Sequence, residues 1–343
     1  MLQSGTRIAI AGAGSIGCHA GGCLALAGRA VSLLARQRIA DMVNTRGMVV
    51  ADLDRGARSI APGVVAATAD PAAALAGAGL VLVTVKSGDT AGIATLIARH
   101  AEPDAVVVSL QNGVGNAVAL RSALPATQRV VAGMVPFNVV QSATPAGALR
   151  LHRATSGTTL VEHGVPGLLE LLAAPGFPVA AHPDMPAVLW GKLLLNLNNA
   201  LNALSGLPLA EQLADREWRL VLATQMQEAL TAMRGAGIRP AQVGALKPGV
   251  LPHMLRLPDF IFRKLARRML AVDPAARSST WEDLSRGRPT EIDAFQGEVI
   301  RLAAKAGTAS PLSRLVMERV RAAEAVGKGS PGLQPSDLTL PRG

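Results

Sequence analysis

Three polar side chains on one face of an apolar helical segment could carry chemistry in this chain of 343 residues. Residues 189–204 read LWGKLLLNLNNALNAL, and Lys192, Asn196 and Asn199 stand at positions i, i+4 and i+7, which share a helix face. Lysine is almost never buried without a partner or a function. Its ammonium group could stabilise and protonate the alkoxide that forms when a hydride reaches a ketone carbon, while the amides bind substrate hydroxyl groups. The alternative is a lysine that reaches solvent from the helix start, with asparagines that cap turns.

A second segment contributes a serine and a carboxylate. Residues 278–293 read SSTWEDLSRGRPTEID. Ser279 could donate a hydrogen bond to a substrate carboxylate, and Glu291 could keep Lys192 charged or bind a hydroxyl group. Taken alone, each of the two is more often a helix cap or a surface residue.

The N-terminal segment contains a glycine pattern that could hold a dinucleotide. Residues 7–17 read RIAIAGAGSIG, an apolar run that ends in Gly12, Gly14 and Gly17. In a strand–turn–helix unit the first glycine permits the tight turn, the second lets the backbone approach a pyrophosphate, and the third allows close helix–strand packing. A helix that begins near Ser15 would direct its N–H groups at the phosphates. The alternative is a structural turn in an unrelated α/β protein.

The residues after the second predicted strand distinguish between the two nicotinamide cofactors. NAD-binding folds of this type place a carboxylate about 20 residues beyond the glycine loop, where it binds the ribose 2′-hydroxyl group. Residues 30–40 read AVSLLARQRIA and contain no carboxylate; Arg36 and Arg38 stand there instead. A guanidinium group can pair with a 2′-phosphate and stack on adenine, so NADP is favoured over NAD. The alternative is a surface arginine in an arginine-rich chain.

The order of the predicted elements indicates how these residues would be positioned. Up to about residue 180, strands alternate with helices, which predicts a doubly wound, mostly parallel sheet covered on both faces. Residues 58–68 and 149–161 are interpreted as antiparallel additions. The predicted strands lie at residues 30–34, 80–85, 105–110 and 130–135, and the helices between them at 71–78, 91–100 and 114–124.

Beyond residue 183 the pattern becomes helical and contains no convincing strand. The predicted helices lie at residues 187–204, 211–235, 260–270 and 292–306. We therefore predict an α/β Rossmann domain over residues 1–183 and an all-α domain over residues 184–326. The tail, residues 327–343, is rich in Gly, Pro and Ser and is expected to be poorly ordered.

Composition argues against several other classes of protein. The net charge is +10, but the arginines are scattered, and the absence of Tyr leaves little for base stacking, so no nucleic-acid partner is predicted. The uncharged residues 8–28 resemble a signal peptide or a membrane span, yet their six glycines argue against both. Cys18 and Cys23 fit small core positions in a reducing compartment, and the six histidines form no metal-binding pair. A cytoplasmic protein without a metal or a membrane partner is expected.

Taken together, these segments resemble the ketopantoate reductase (2-dehydropantoate 2-reductase) family. The resemblance runs from residue 7 to about residue 320. It is carried by GAGSIG at 12–17, LLAR at 33–36, VTVKS at 83–87, QNGVG at 111–115, LWGKLLLN at 189–196, SSTWEDL at 278–284 and TEID at 290–293. It implies an oxidoreductase that reduces 2-dehydropantoate to pantoate with NADPH, in pantothenate and coenzyme A synthesis.

The resemblance also implies a fold and a set of cofactor-binding residues. The family has an N-terminal Rossmann domain joined to a helical domain, with the active site in the cleft. Arg36 and Lys86 would bind the adenosine 2′-phosphate side, and Asn112 would contact cofactor and substrate at the nicotinamide end. The pyrophosphate would be held by Gly12, Ala13, Gly14, Ser15, Ile16 and Gly17.

For the substrate, the resemblance implies roles for residues of the second half. Lys192 would be the proton donor, and Glu291 would complete the catalytic site beside the cofactor. The substrate-binding residues would be Asn112, Asn196, Asn199 and Ser279. The expected partner is a small 2-keto acid, and a homodimer is an assembly to be tested.

This chain departs from the family pattern after the catalytic lysine. The family commonly has an Asn-Pro-Leu-Thr-Ala stretch where residues 199–203 read NALNA, and this chain is one residue short there, so Asn199 matches out of register. A further family asparagine, about two turns later, has no counterpart near residues 205–209. Two alternatives therefore stay open: a reductase or dehydrogenase of another 2-keto or 3-hydroxy acid, and a non-catalytic dinucleotide-sensing module.

Overall fold

A computed structural model describes residues 2–53, 56–265 and 276–340 of the chain. The chain divides into two units, Met1–Met185 and Pro186–Gly343. In the described residues the first unit combines sheets with helices and the second is helical. The predicted fold class, a Rossmann-like α/β domain followed by an all-α domain, is confirmed.

Twelve strands and six helices form the described part of the first unit. The strands are β1 Arg7–Ala11, β2 Val31–Leu34, β3 Met48–Asp52, β4 Gly56–Ile60, β5 Ala66–Thr68, β6 Ala78–Val83, β7 Val106–Ser109, β8 Arg129–Met134, β9 Val139–Ala143, β10 Leu149–Arg153, β11 Thr159–Glu162 and β12 Val179–His182. The helices are α1 Ser15–Leu26, α2 Gln37–Arg46, α3 Pro71–Leu75, α4 Thr90–His100, α5 Asn116–Ala123 and α6 Leu168–Leu172.

Strand β1 lies in the interior of an eight-stranded sheet with the order β12-β11-β8-β7-β6-β1-β2-β5. It pairs in parallel with β2 and β6, and β7 and β8 continue the parallel arrangement. Residues 8–11 are fully buried, which is why a short uninterrupted apolar run forms this strand. Because parallel strands end at the same edge, the segments that follow β1, β2, β6 and β7 share the edge where doubly wound folds bind ligands.

A second, four-stranded sheet has the order β4-β3-β10-β9 and requires two corrections. Residues 58–68 are not one antiparallel addition, because β4 pairs antiparallel with β3 while β5 joins the main sheet in parallel with β2. Residues 149–161 also divide, since β10 belongs to the second sheet and β11 pairs antiparallel with β8. The physical reason is a break in each segment, at Gly63 (φ +85°) and Gly157 (φ +141°), that lets its halves join different sheets.

Helix α1 lies between the two sheets, which explains its glycine content. A Cβ atom at Gly21 would lie 2.9 Å from Leu33 Cδ2 in the main sheet, and one at Gly22 would lie 2.6 Å from Val50 Cγ2 in the second sheet. The two glycines therefore let one helix approach both sheets closely. The uncharged residues 8–28 form a buried strand–helix unit, and none of the helices described is both long and apolar enough to span a membrane.

The described part of the second unit contains eight helices, the first of which begins at the division between the units. They are α7 Met185–Ser205, α8 Leu209–Ala214, α9 Arg216–Gly235, α10 Leu251–Leu255, α11 Asp259–Leu265, α12 Ser279–Ser285, α13 Ile292–Lys305 and α14 Pro311–Val326. Helix α9 contacts α10, α13 and α14. The helix predicted at 260–270 is described only to Leu265, and its remainder lies outside the described residues.

Residues 327–340 differ from the expectation of a poorly ordered tail. The Leu333 N–H group donates to the Leu204 carbonyl oxygen at 2.8 Å. A 3-10 turn over Pro335–Leu338 then buries Leu338, and this turn contacts α9 and α14. The apolar residues within this segment supply contacts that its Gly, Pro and Ser content did not indicate. Residues 341–343 lie outside the described part.

Candidate active site

The loop between β1 and α1 contains glycines in three different environments. Gly12 has a φ of +115°, and a Cβ atom there would lie 2.7 Å from the Val85 nitrogen. At Gly17 a Cβ atom would overlap the Gly12 carbonyl oxygen and lie 2.5 Å from Thr84 Oγ1. At Gly14, by contrast, a Cβ atom would meet nothing within 4 Å. Packing therefore requires the first and third glycines, whereas the second leaves an open backbone surface.

Helix α1 begins at this open surface. The residue before it, Gly14, has no side chain to cap the helix, and the first turn contains no acidic residue. The Ala13 N–H group donates to the Leu34 carbonyl oxygen at 3.1 Å, which fixes the loop to β2, and Ser15 and Ile16 are half-buried. The uncapped N–H groups and the positive end of the helix dipole make this surface suitable for an anion.

Arg36 stands just after β2, at the residue that precedes α2. Its backbone is fixed, because the Ile39 N–H group donates to the Arg36 carbonyl oxygen at 2.8 Å. Its side chain is exposed, and none of the described carboxylates forms an ion pair with it. The guanidinium group therefore stands at the same sheet edge as Gly14 and can receive an anionic group from solvent.

Two loops after β6 and β7 carry Lys86 and Asn112. Lys86 is half-buried and precedes a 3-10 turn over Ser87–Asp89, while Asn112 is exposed. The Ser87 hydroxyl group donates to the Asn112 carbonyl oxygen at 3.1 Å, so the two loops are joined. Because β6 pairs with both β1 and β7, these loops lie at the same edge as the glycine loop.

In the second unit, helix α7 carries Lys192, whose side chain is partly buried in an apolar helix. The side chain is half-buried, and within the described residues its ammonium group has no hydrogen bond or ion pair. Burial lowers the pKa of Lys192 below the usual lysine value, because water no longer solvates the charge fully. An ammonium group kept without a partner in an apolar helix is typical of a functional site.

The four asparagines of α7 divide into two pairs. Asn196 is buried and Asn199 is half-buried, and neither side chain is hydrogen-bonded to a described residue. Asn198 Oδ1 accepts from Gln212 Nε2 at 2.9 Å, and Asn202 Nδ2 donates to a backbone carbonyl oxygen at 2.9 Å. The first pair therefore shares the face of Lys192 and can bind a ligand, whereas the second pair holds neighbouring backbone and side chains.

The SSTWEDL segment begins α12, and its first serine is the cap. Ser278 Oγ accepts from the Trp281 N–H group at 3.2 Å and donates to the Asn199 carbonyl oxygen at 2.9 Å. The Ser278 N–H group donates to Asn202 Oδ1 at 2.9 Å. Ser279 is exposed at the first helical position. Because its neighbour caps the helix, the Ser279 hydroxyl group is not needed for that role.

Glu291 is half-buried at the residue that precedes α13. The loop before it is held from α14, because Glu324 Oε1 accepts from the Thr290 N–H group at 2.6 Å. Helix α13 is tied to α7, since Gln296 Nε2 donates to the Leu197 carbonyl oxygen at 3.1 Å. Together with the bonds of Ser278, this contact brings the segments of Ser279 and Glu291 to the middle of α7.

Sequence reasoning did not identify the segment that runs beside Lys192. The Ala241 N–H group donates to the Ala187 carbonyl oxygen at 2.8 Å, and a Cβ atom at Gly191 would overlap the Ala241 carbonyl oxygen. Residues 241–244 therefore cross α7 next to the lysine. Gly191 could have indicated this crossing from the sequence. A glycine within a helix weakens it, and it often marks a place where another backbone segment approaches closely.

Other reactive groups do not form a competing centre in the described ranges. They contain no group of three or more His, Cys, Asp or Glu side chains that could hold a metal ion. Burial raises the pKa of the Cys18 and Cys23 thiols to about 12, so neither is a nucleophile at neutral pH.

Comparison with known proteins gives two family matches that together cover most of the chain. Residues 8–164 match the family described as Ketopantoate reductase PanE/ApbA, and residues 184–324 match Ketopantoate reductase PanE/ApbA C terminal. A 2-dehydropantoate 2-reductase of Halobacterium salinarum is 28% identical over 329 residues, which cover 94% of this chain and 100% of the relative.

Two solved structures show the same architecture. A PanE/ApbA family ketopantoate reductase from Ralstonia eutropha is 30% identical, with a TM-score of 0.78 over 94% of this chain and 100% of the other. A dimeric ketopantoate reductase from Staphylococcus aureus has a TM-score of 0.68 at 16% identity, over 94% of this chain and 99% of the other, and shows the fold alone.

Proposed function

Because the chain belongs to the ketopantoate reductase family, an oxidoreductase family, we propose that it reduces 2-dehydropantoate to pantoate with NADPH. The observation that carries this proposal is the ammonium group of Lys192, half-buried in an apolar helix with no partner among the described residues. A reductase needs such a group at the carbonyl oxygen. Asn196 and Asn199 on the same helix face supply the polar contacts that a hydroxylated keto acid requires.

The residues of the first unit fit a dinucleotide. The open backbone at Gly14 and the uncapped start of α1 would hold the pyrophosphate. A Cβ atom at residue 14 would project into the space that the pyrophosphate would occupy. Arg36, with Lys86, would bind the adenosine 2′-phosphate, and Asn112 would lie at the nicotinamide end. Bound NADPH would supply the hydride that reduces the keto carbon.

Lys192 would deliver the proton. As the keto carbon gains the hydride, its oxygen gains negative charge, and the ammonium group stabilises that charge and donates a proton from Nζ. The neutral amine then regains a proton from water. Burial assists this step because it lowers the lysine pKa and so makes the ammonium group a stronger acid.

The remaining site residues would orient the substrate. Asn196 and Asn199 would bind its hydroxyl groups, and the exposed hydroxyl group of Ser279 would donate to its carboxylate. Glu291, half-buried at the start of α13, would complete the site beside the cofactor. None of these contacts requires a metal ion.

An assay of NADPH oxidation with a panel of 2-keto acids tests the proposal. We expect 2-dehydropantoate to give the highest kcat/KM, and we expect the rate to fall as the pH rises through the lowered pKa of Lys192, in a window below 10.5. A protein that binds NADPH but oxidises it with no keto acid would instead be a dinucleotide-sensing module.

A second candidate, reduction of another 2-keto acid, is favoured by a specific observation. Two of the four asparagines on α7, Asn198 and Asn202, are used in bonds within the protein, and the latter stands in the stretch that departs from the family pattern. Fewer amides then remain to bind the hydroxyl groups of ketopantoate. A higher kcat/KM for a keto acid without the distal hydroxyl group would favour this candidate.

We also propose a cytoplasmic homodimer. The ketopantoate reductase of Staphylococcus aureus is dimeric, and the buried free thiols Cys18 and Cys23 fit a reducing compartment. Light scattering after size-exclusion chromatography would distinguish a dimer of about 70 kDa from the 35.2 kDa monomer.

A further inference from the structure

A buried group of polar side chains lies beneath the two loops that carry Lys86 and Asn112. Its members are Thr90 at the start of α4, Gln111 after β7, and Asn116 at the start of α5, with relative exposures of 4%, 5% and 7%. Polar side chains this deeply buried are normally held by hydrogen bonds, and here Gln111 and Asn116 each bond to Thr90.

Thr90 is the centre of this group. Its hydroxyl group accepts from Gln111 Nε2 at 2.8 Å, and its single proton is shared between two acceptors, Asn116 Oδ1 at 2.8 Å and the Ser87 carbonyl oxygen at 2.9 Å. Ser109, at the end of β7, supports Gln111 from below through a bond of 3.1 Å to Gln111 Oε1. The hydroxyl group thus joins two loops of the sheet edge through one oxygen atom.

Asn116 connects Thr90 to the backbone of Asn112 through its side-chain amide. With its oxygen bonded to Thr90, the amide is oriented so that Nδ2 donates to the Asn112 carbonyl oxygen at 2.5 Å and to Ser87 Oγ at 3.0 Å. The next residue, Gly113, has a φ of +87°, so the loop turns sharply just beyond Asn112. The Asn112 carbonyl oxygen is therefore fixed by two donors at the point where the chain turns.

We propose that Thr90 and Asn116 are positioning residues that orient Asn112 for the nicotinamide half of the cofactor. This inference deepens the proposed function and rests on it. The residues act through Asn112 and need not touch the cofactor. The physical basis is preorganisation: a loop already held in its binding conformation loses less conformational entropy when the ligand arrives.

Two substitutions at Thr90 distinguish the effect of its hydroxyl group from the effect of its volume. Thr90→Val keeps the volume but removes the oxygen, which leaves Gln111 Nε2 and Asn116 Oδ1 without their partner, whereas Thr90→Ser keeps it. The matched control is Thr159→Val in the same unit. Thr159 is also buried, but its hydroxyl group has no hydrogen-bond partner among the described residues.

Binding is measured by titration with NADPH and with adenosine 2′,5′-bisphosphate, which lacks the nicotinamide half. We expect Thr90→Val to weaken NADPH binding about three- to tenfold, the loss typical of one or two neutral hydrogen bonds, and to weaken the bisphosphate less. Thr90→Ser and Thr159→Val should bind both ligands like the wild type.

Several results would overturn the inference. Unchanged NADPH affinity in Thr90→Val would make the group a structural one, even if the variant melted earlier. An equal loss for the two ligands, or the same loss in Thr159→Val, would place the effect on the whole fold. Failure of the wild type to bind NADPH would instead contradict the proposed function.

A second variant applies if Thr90→Val does not fold. Asn116→Asp keeps the oxygen that accepts from Thr90 but loses the amide donor to Asn112. We expect the same selective loss of NADPH affinity over the bisphosphate, and an affinity equal to that of the wild type would overturn the proposal.

Discussion

The two units position their candidate site residues in different ways. In the first unit the backbone forms the site: Gly12, Gly14 and Gly17 shape a loop at the end of one strand, and neighbouring strands end beside it. In the second unit side chains form it, and they lie far apart in the sequence, from Lys192 within α7 to Glu291 just before α13.

The difference shows in what holds each site together. The glycine loop is fixed by contacts that leave no space for a Cβ atom at Gly12 or Gly17. The helical site is fixed by buried amide and hydroxyl groups, such as Asn202, Ser278 and Gln296, that join α7 to α12 and α13. We therefore expect substitutions in the first unit to act on cofactor affinity, and those in the second to act on turnover and substrate binding.

The largest effect should follow from Lys192→Ala. The alkoxide would lose its proton donor and a nearby positive charge, and general acid catalysis alone contributes about 10²–10⁴-fold to a rate. We expect that loss in kcat measured by NADPH oxidation, with NADPH affinity retained. The loss belongs in kcat because negative charge on the oxygen develops only in the transition state.

Lys305→Ala, at the end of α13, is the matched control, because that lysine is exposed and lies outside the proposed site. It should leave kcat unchanged. A Lys192→Ala variant that keeps more than about a tenth of the wild-type kcat would contradict the proton-donor role. It would also contradict the proposal that the second unit determines turnover.

Arg36→Ala tests the cofactor side of the comparison. An anchored charge-assisted bond to a phosphate contributes roughly 1.5–3 kcal/mol, or about ten- to a hundredfold in affinity. We expect titrations to show that loss for NADPH and almost none for NADH, which has no 2′-phosphate. Arg46→Ala, an exposed arginine at the other end of α2, should change neither. Equal losses for the two cofactors would show that Arg36 does not bind the 2′-phosphate.

Two glycines of the β1–α1 loop allow effects on the free energy of unfolding to be distinguished from effects on NADPH affinity. At Gly17 a methyl group would overlap backbone, so Gly17→Ala should lower the free energy of unfolding by about 1–3 kcal/mol. At Gly14 the methyl group would meet no protein atom, so Gly14→Ala should unfold at the wild-type denaturant concentration but bind NADPH more weakly.

Gly92→Ala is the control for both, since a Cβ atom there also meets nothing within 4 Å and the residue lies within α4. It should reduce neither stability nor binding. Wild-type NADPH affinity in Gly14→Ala would mean that the cofactor does not approach this backbone.

The first unit could be predicted largely from its sequence because its signals are local. A buried strand followed by glycines predicts β1 and α1, and Val- and Leu-rich runs predict β6 to β8. The second sheet was harder to predict, because β9 is largely exposed and has no long apolar run. Its pairing depends on residues about a hundred positions apart, which periodicity does not reveal.

The second unit shows where local patterns stop being informative. The shared face of Lys192, Asn196 and Asn199 follows from helical spacing, but nothing local shows which partners Asn202 binds inside the protein. The partner of Asn202 in α12 is 76 residues away. For the same reason the pair Ser278 and Ser279 predicts a helix start without showing which serine caps it.

The two units should also differ in their response to acid, because the one histidine that is buried in the described ranges, His19, lies on α1 in the first unit. Burial, and then the charge of Arg153, lowers the pKa of His19 from 6.5 to about 4. A folded-state pKa below the unfolded value means that the unfolded state takes up the proton first. The stabilising contribution is complete above about 6.5 and is lost as the pH falls towards 4.

Denaturant unfolding between pH 4 and pH 7 measures this effect, with a slope of at most about 1.4 kcal/mol per pH unit from one histidine. We expect His19→Gln to flatten the pH dependence of the free energy of unfolding. His163→Gln removes an exposed histidine of the same unit and should leave the dependence as it is. Parallel curves for His19→Gln and the wild type would contradict the prediction.

The smallest effect is expected for Ser279→Ala, and it tests whether the start of α12 binds substrate or only begins a helix. Ser278 already caps the helix, so loss of the neighbouring hydroxyl group should not change stability. If Ser279 donates to the substrate carboxylate, its loss should raise the KM for the keto acid about tenfold, the value of a single hydrogen bond to a charged group, and leave NADPH affinity unchanged. Ser285→Ala, at the exposed end of the same helix, is the control and should alter neither constant. An unchanged KM in Ser279→Ala would return this serine to a structural role and would leave α7 as the part of the second unit that selects the substrate.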